Sequence, residues 1–209
     1  IDSKVLWLPD VFGYSAALPQ LLKLAGVTGF VTSKISWSQY NRFPYDTFRW
    51  RGLDGTEIPT HFITTPGTAW FYTYNGMMTV EDTRRNFAEY RQKYLPIQPL
   101  LTFGYGDGGG GPTEEMLETA LRLSNDATIE TIPRVRFEKV GELMDRVAAL
   151  KDQLPWWDGE LYLEYHRGTY TTQAWLKRAN SKNEINLHNA EWLSSLAQPY
   201  GFKLDKAKL

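Results

Sequence analysis

The chain has 209 residues, 42% of them hydrophobic, with 23 Lys and Arg against 24 Asp and Glu. That apolar content can bury a sizeable core, which excludes disorder as the overall state. The formal charge of −1, with no block of like charges, argues against nucleic acid or another polyanion as a partner. The absence of cysteine excludes disulfides and thiolate metal sites and leads us to expect a reducing, cytoplasmic setting.

In chain order, the start Ile1-Asp2-Ser3-Lys4-Val5 has neither an initiator Met nor a signal-peptide pattern, so the chain is expected to be a segment of a longer protein. Val5-Leu6-Trp7-Leu8 predicts a short buried strand ending at Pro9-Asp10. Ser15 is the expected N-cap of a helix over residues 16–25, which Gly26 closes. Gly29 to Ile35 predicts the next strand. Thr47–Trp50 and Ile58–Phe62 then flank the turn Leu53-Asp54-Gly55-Thr56 as a β excursion. Thr79 with Asp82 three residues on is a capping-box signature for a helix to about Tyr94, stopped by Pro96. Leu100–Phe103 predicts a strand followed by the run Gly104–Gly111, and Pro112-Thr113 opens a helix whose Glu114 and Glu115 suit its positive end. Arg134–Phe137 predicts a further strand. Val140, Leu143, Met144, Val147, Leu150 and Leu154 recur at helical spacing, and Leu161, Leu163 and Tyr165 alternate with polar residues. From Thr171 about 27 residues pass without Pro or Gly, the pattern of one long helix. No apolar run is long enough to cross a membrane.

Strands alternating with helices imply an α/β fold, a mostly parallel sheet covered by helices. Ligands in such sheets gather beyond the C-terminal strand ends, where Asp10 and Asp107 fall. A loop aspartate is usually a turn or cap residue. Asp107 stands out because Gly108–Gly111 follows it, and consecutive glycines pack nothing and serve sharp turns or close approach to a ligand. Two strand-end carboxylates are what glycosidic bond cleavage requires. The glycine run lacks the Gly-Lys-Ser/Thr of a phosphate loop, so nucleotide binding is not expected. Of the three histidines, His61 and His188 read as structural, whereas His166, between a predicted strand and the long helix, reads either as structural, the usual role of a lone His, or as a metal ligand beside strand-end carboxylates. The aromatic segment 69–74, flanked by Gly67 and Gly76, reads either as a mobile loop bordering the site or as core. These residues alone lead to an α/β hydrolytic enzyme, with a metal requirement left open.

Four segments carry a more specific resemblance. Trp7-Leu8-Pro9-Asp10-Val11-Phe12-Gly13-Tyr14-Ser15, with Leu18-Pro19-Gln20, resembles the nucleophile segment of glycoside hydrolase family 38 α-mannosidases. Phe43-Pro44-Tyr45-Asp46-Thr47-Phe48-Arg49-Trp50 through Asp54-Gly55-Thr56 is similar to that family's cytosolic, vacuolar and bacterial branch. So are Phe103-Gly104-Tyr105-Gly106-Asp107 with its glycines and Pro112-Thr113, and Glu164-Tyr165-His166-Arg167-Gly168-Thr169-Tyr170-Thr171-Thr172-Gln173. The resemblance implies the second half of an α/β barrel-like catalytic domain over residues 1–154, and the strand and first long helix of a helical middle domain over 155–209. It implies retaining hydrolysis of terminal α-D-mannose from oligosaccharides, assisted by one zinc ion, with cobalt as a substitute. Asp10 matches the nucleophile, which also ligates the metal; His166 matches a second ligand, Asp107 the acid/base, and Phe12 and Lys34 substrate-binding residues beside the nucleophile. The family's His-x-Asp metal-ligand motif is absent, so sheet and site are expected to be incomplete and the segment by itself inactive. An oligomer of the full-length enzyme is compatible with this reading. The rival expectation is a non-catalytic carbohydrate-binding or interaction module on the same fold.

Overall fold

A computed structural model describes residues 3–68, 70–125, 132–171 and 173–202. Ala69 of the aromatic segment and Thr172 of the His166 motif lie outside them. Packing divides the chain into two compact units, residues 1–166 and 167–209.

The first unit is built on a five-stranded sheet: β1 (Val5–Trp7), β2 (Gly29–Thr32), β3 (Thr47–Arg51), β4 (Glu57–Phe62) and β5 (Trp156–Asp158), in the order β1-β2-β4-β3-β5. β1–β2, β2–β4 and β3–β5 are parallel and β3–β4 antiparallel, so the sheet is mostly parallel, as expected. The hairpin between β3 and β4 turns where predicted. Gly55 takes φ +84, and the Asp54 carboxylate accepts from the Thr56 amide and hydroxyl.

Every residue of β2 is buried, because the sheet is covered on both faces. Phe30 faces an aromatic cluster with Tyr14, Phe43, Phe48, Trp50 and Phe62. Val31, its neighbour in sequence, points the other way into a cluster with Ile63, Leu143, Met144 and Val147. Three of those residues come from α4 (Val140–Ala149), which lies so close that a Cβ on Gly29 would sit 3.0 Å from Met144 Cε. The other helices of this unit are α1 (Leu18–Leu24), α2 (Val80–Glu89) and α3 (Glu114–Asn125). Gly26 at φ +74 closes α1, the Thr79–Asp82 capping box opens α2, and the Thr113 hydroxyl caps α3 through the Met116 amide.

Six expected elements differ. α1 begins at Leu18 rather than residue 16, because Ser15 Oγ accepts from the Ala17 amide and closes a turn ahead of the helix. β2 stops at Thr32, and the chain tightens into a 3₁₀ turn over Lys34–Trp37. α2 ends at Glu89, since Arg91 and Gln92 turn inward: Arg91 pairs with the buried Asp46, and the Gln92 side chain bonds the main chain of Asp46 and Thr47. Leu100–Phe103 joins no sheet. Its amides are satisfied by side chains instead, Leu100 N by His61 Nε2 and Thr102 N by Thr65 Oγ1, and one bridge links Phe103 to Gly76. Arg134–Phe137 and 161–165 likewise form no strand, although Leu161 and Leu163 are fully buried and Leu161 bridges Tyr14.

The second unit holds the short helix α5 (Gly168–Thr171) and the long α6 (Ala174–Ala197), separated at Gln173 by a left-handed residue, φ +60. No helix among the described residues is long and apolar enough to cross a membrane.

Candidate active site

The site forms where three parallel strands end. Trp7 of β1 pairs with Val31 of β2, so Asp10 and Lys34, each three residues further on, emerge at the same level. Pro9 O fixes the two exits together by accepting from the Ser33 amide at 3.4 Å and hydroxyl at 2.8 Å. Lys34 Nζ then meets Asp10 Oδ1 at 2.7 Å, with 8% of the Lys34 side chain and 37% of the Asp10 side chain exposed.

The chain leaving β4 supplies the next group. The stretch 70–73 pairs back on 65–68 through Thr73 N to Thr65 O and Gly67 N to Phe71 O. That turn delivers the Tyr74 hydroxyl to Asp10 Oδ2 at 3.3 Å. Both carboxylate oxygens of Asp10 are therefore engaged, one by a cation and one by a phenol. Burial raises the Tyr74 phenol above its usual range, and the charges of Asp10 and Asp107 raise it further.

Asp107 reaches this neighbourhood from the glycine loop, which closes through reciprocal 2.8 Å bonds between the main chains of Tyr105 and Gly111. Gly104 N to Gly76 O and Gly76 N to Thr102 O strap the loop to the Tyr74 segment. That contact requires glycine: a Cβ on Gly76 would lie 2.6 Å from Thr65 Cγ2 and 2.8 Å from Thr102 O. A Cβ on Gly106 would meet the Tyr74 ring at 3.0 Å, so the ring packs against the residue before Asp107. Asp107 itself is exposed and left-handed, φ +51.

His166 arrives from the other side. The Tyr14–Leu161 pairing lays 161–166 alongside the Asp10 loop, and the His166 ring, also on a left-handed residue (φ +59), stacks 4.7 Å from Phe12. Glu164 anchors this segment by accepting from the amides of Tyr40 and Asn41 and from the Asn41 side chain, bonds that hold its carboxyl below the usual range. Lys34 Nζ lies 5.0 Å from the Phe12 ring centre, so Asp10, Phe12, Lys34 and His166 form one cluster. His61 is elsewhere, fully buried, with its pKa lowered to about 4 by burial and its ring nitrogens facing Thr47 Oγ1 and the Leu100 amide.

Two residues of the site were not singled out from sequence. Tyr74 had a signal, since it lies in the aromatic segment; Trp70 of that segment is 43% exposed and Phe71 packs on Trp37 at 4.3 Å. Trp37 had none, although its ring centre is 3.4 Å from Lys34 Nζ.

The donor set can be tested against a zinc ion. A catalytic zinc takes three protein ligands and an open position. Among the described residues no group of three His, Cys, Asp or Glu side chains converges. Asp10 and His166 by themselves do not fit such an ion.

Comparison with known proteins shows the family of the chain. Residues 1–160 match the N-terminal domain of glycosyl hydrolases family 38, and residues 164–209 match the alpha mannosidase middle domain. The chain is 44% identical over 191 residues to Alpha-mannosidase 2C1 of Homo sapiens, covering 91% of this chain and 18% of that protein. It is 41% identical over 201 residues to Alpha-mannosidase of Saccharomyces cerevisiae, covering 93% of this chain and 18% of that protein. The chain thus spans about 18% of the length of these relatives. A solved structure, an alpha-mannosidase from Enterococcus faecalis V583, matches 77% of this chain and 18% of its own with a TM-score of 0.52 at 21% identity, a likeness of fold.

Proposed function

The chain belongs to glycosyl hydrolases family 38, and on that premise we propose that the protein carrying it hydrolyses terminal α-mannosides of oligosaccharides with retention of configuration. One arrangement supports this reading: the carboxylates of Asp10 and Asp107 both act on the Tyr74 hydroxyl, at one end of a mostly parallel sheet. Asp10 attacks the anomeric carbon. Lys34 and Tyr74 hold its two oxygens in place for that attack. Asp107, exposed on its loop, gives its proton to the leaving oxygen and then takes one from the water that releases the sugar. Phe12, half-buried beside His166, offers an apolar face to the sugar ring.

A zinc ion, when bound, supplies Lewis-acid stabilisation of developing charge. Asp10 and His166 would be two of its ligands and would need further donors to complete the site; none of the steps above runs through it. The proposal carries a cytoplasmic location and no nucleic-acid partner.

Product analysis by proton NMR in the full-length gene product tests the reading. An aryl α-mannoside should release α-mannose first, with β-mannose appearing only by mutarotation. Initial release of β-mannose, or no hydrolysis of any α-mannoside, would refute it.

A further inference from the structure

The 3₁₀ turn after β2 does more than end a strand. In that geometry side chains at i and i+3 eclipse, and here Trp37 lies over Lys34. The indole centre is 3.4 Å from Nζ, the Phe12 ring is 5.0 Å from it, and the ammonium reaches Asp10 Oδ1 at 2.7 Å. The indole is held in turn: its Nε1–H donates to Tyr72 O at 3.2 Å, and Phe71 stacks on it at 4.3 Å. We propose that Trp37, with Phe12, forms an aromatic seat for a primary ammonium group, and that Trp37 is a positioning residue which acts on Asp10 through Lys34.

The physical grounds are these. A lysine ammonium is strongly hydrated and sits on a flexible four-carbon stem. With 8% of its side chain exposed, Lys34 has given up most of that hydration. One carboxylate oxygen accounts for one of its three N–H donors, whereas an indole face attracts the whole cation, and does so most strongly where water is excluded. Removing the ring leaves Lys34 a charge without its seat, free to swing toward solvent and leave Asp10. Trp37 is half-buried and packs on the edge of the core to which Ile35 belongs, so a leucine there keeps an apolar contact with that edge. The consequence for turnover rests on the mannosidase reading; the seat itself does not.

Two measurements on the full-length gene product separate those points. Acylation of lysines by an amine-selective reagent, read by peptide mass, reports the seat whatever the activity. Lys34 should react far more slowly than the exposed Lys23 and Lys151, approach their rate in Trp37→Leu, and stay protected in Trp37→Phe. Equal reactivity of Lys34 in wild type and Trp37→Leu would overturn the proposal. The second measurement is amine rescue of Lys34→Ala turnover on an aryl α-mannoside. Ethylammonium should restore part of kcat, tetramethylammonium should not because it has no N–H for Asp10, and the double variant Lys34→Ala, Trp37→Leu should lose the rescue. Trp37→Leu alone should lower kcat by roughly 10- to 30-fold, the size of a desolvated cation–π contact, with KM little moved. Rescue of equal size with and without the indole would overturn the positioning role even where the enzyme proves to be a mannosidase.

Discussion

Asp10 has two partners, and the structure ranks them. Lys34 Nζ is a buried cation at 2.7 Å from Oδ1; the Tyr74 hydroxyl is neutral, half-buried and 3.3 Å from Oδ2. A charge-assisted bond of the first kind is worth about 2–4 kcal/mol once solvent on the Asp10 side is allowed for. The second, long and uncharged on the donor side, is worth about 1 kcal/mol. Lys34→Met should therefore lower kcat/KM on an aryl α-mannoside by roughly 30- to 1,000-fold, and Tyr74→Phe by roughly fivefold. Both substitutions keep the size of the side chain, so far-ultraviolet circular dichroism should be unchanged. Since the two bonds share one carboxylate, the double variant should not simply multiply the losses. A Tyr74→Phe loss as severe as that of Lys34→Met, or a Lys34→Met loss below tenfold, would refute this ranking.

Asp107→Asn should slow a natural α-mannoside by roughly 10²–10⁴ and an activated aryl mannoside much less, because the latter's leaving group needs no proton; equal losses in steady-state kinetics would remove Asp107 from the acid/base role. Arg91→Met strips three guanidinium contacts from the fully buried Asp46 but leaves the Arg91 amide bond, and should cost about 2–4 kcal/mol in thermal unfolding at neutral pH. Burial already raises the Asp46 carboxyl, so the folded state binds its proton more tightly than the unfolded chain does; the deficit should shrink as pH falls and the carboxyl protonates. His61 has the opposite sign: neutral when folded, with a pKa near 4 against 6.5 unfolded, it should cost stability as pH drops from about 6.5 toward 4, and His61→Gln should flatten that part of the melting profile. Gly76→Ala should lower melting temperature and activity together because its Cβ meets main chain, whereas Gly111→Ala, left-handed but in open space, should cost only about 1 kcal/mol.

Much of this was legible in the order of residues. Local signals are decided within a few positions, so the Thr79–Asp82 capping box, the Asp54-Gly55 turn, the Thr113 cap and the closing Gly26 read correctly. The four segments that resemble the family pointed to it for the same reason, since a motif is a local string. What failed was non-local. Leu100–Phe103 has the apolar run of a strand, yet its amides are met by His61 and Thr65, side chains some 40 positions away that no pattern announces. Gly29–Ile35 reads as continuous strand, and a strand would send residues three apart to opposite faces. The chain instead tightens after Thr32, where the parallel register with β1 and the Ser33 bonds to Pro9 fix its exit. Sequence supplied Asp10, Lys34, Asp107 and His166 as candidates because their residue types and neighbours are visible in one dimension. Tertiary structure decided that Trp37 covers Lys34 and that Tyr74 meets Asp10, because those contacts depend on where three separate strands end relative to one another.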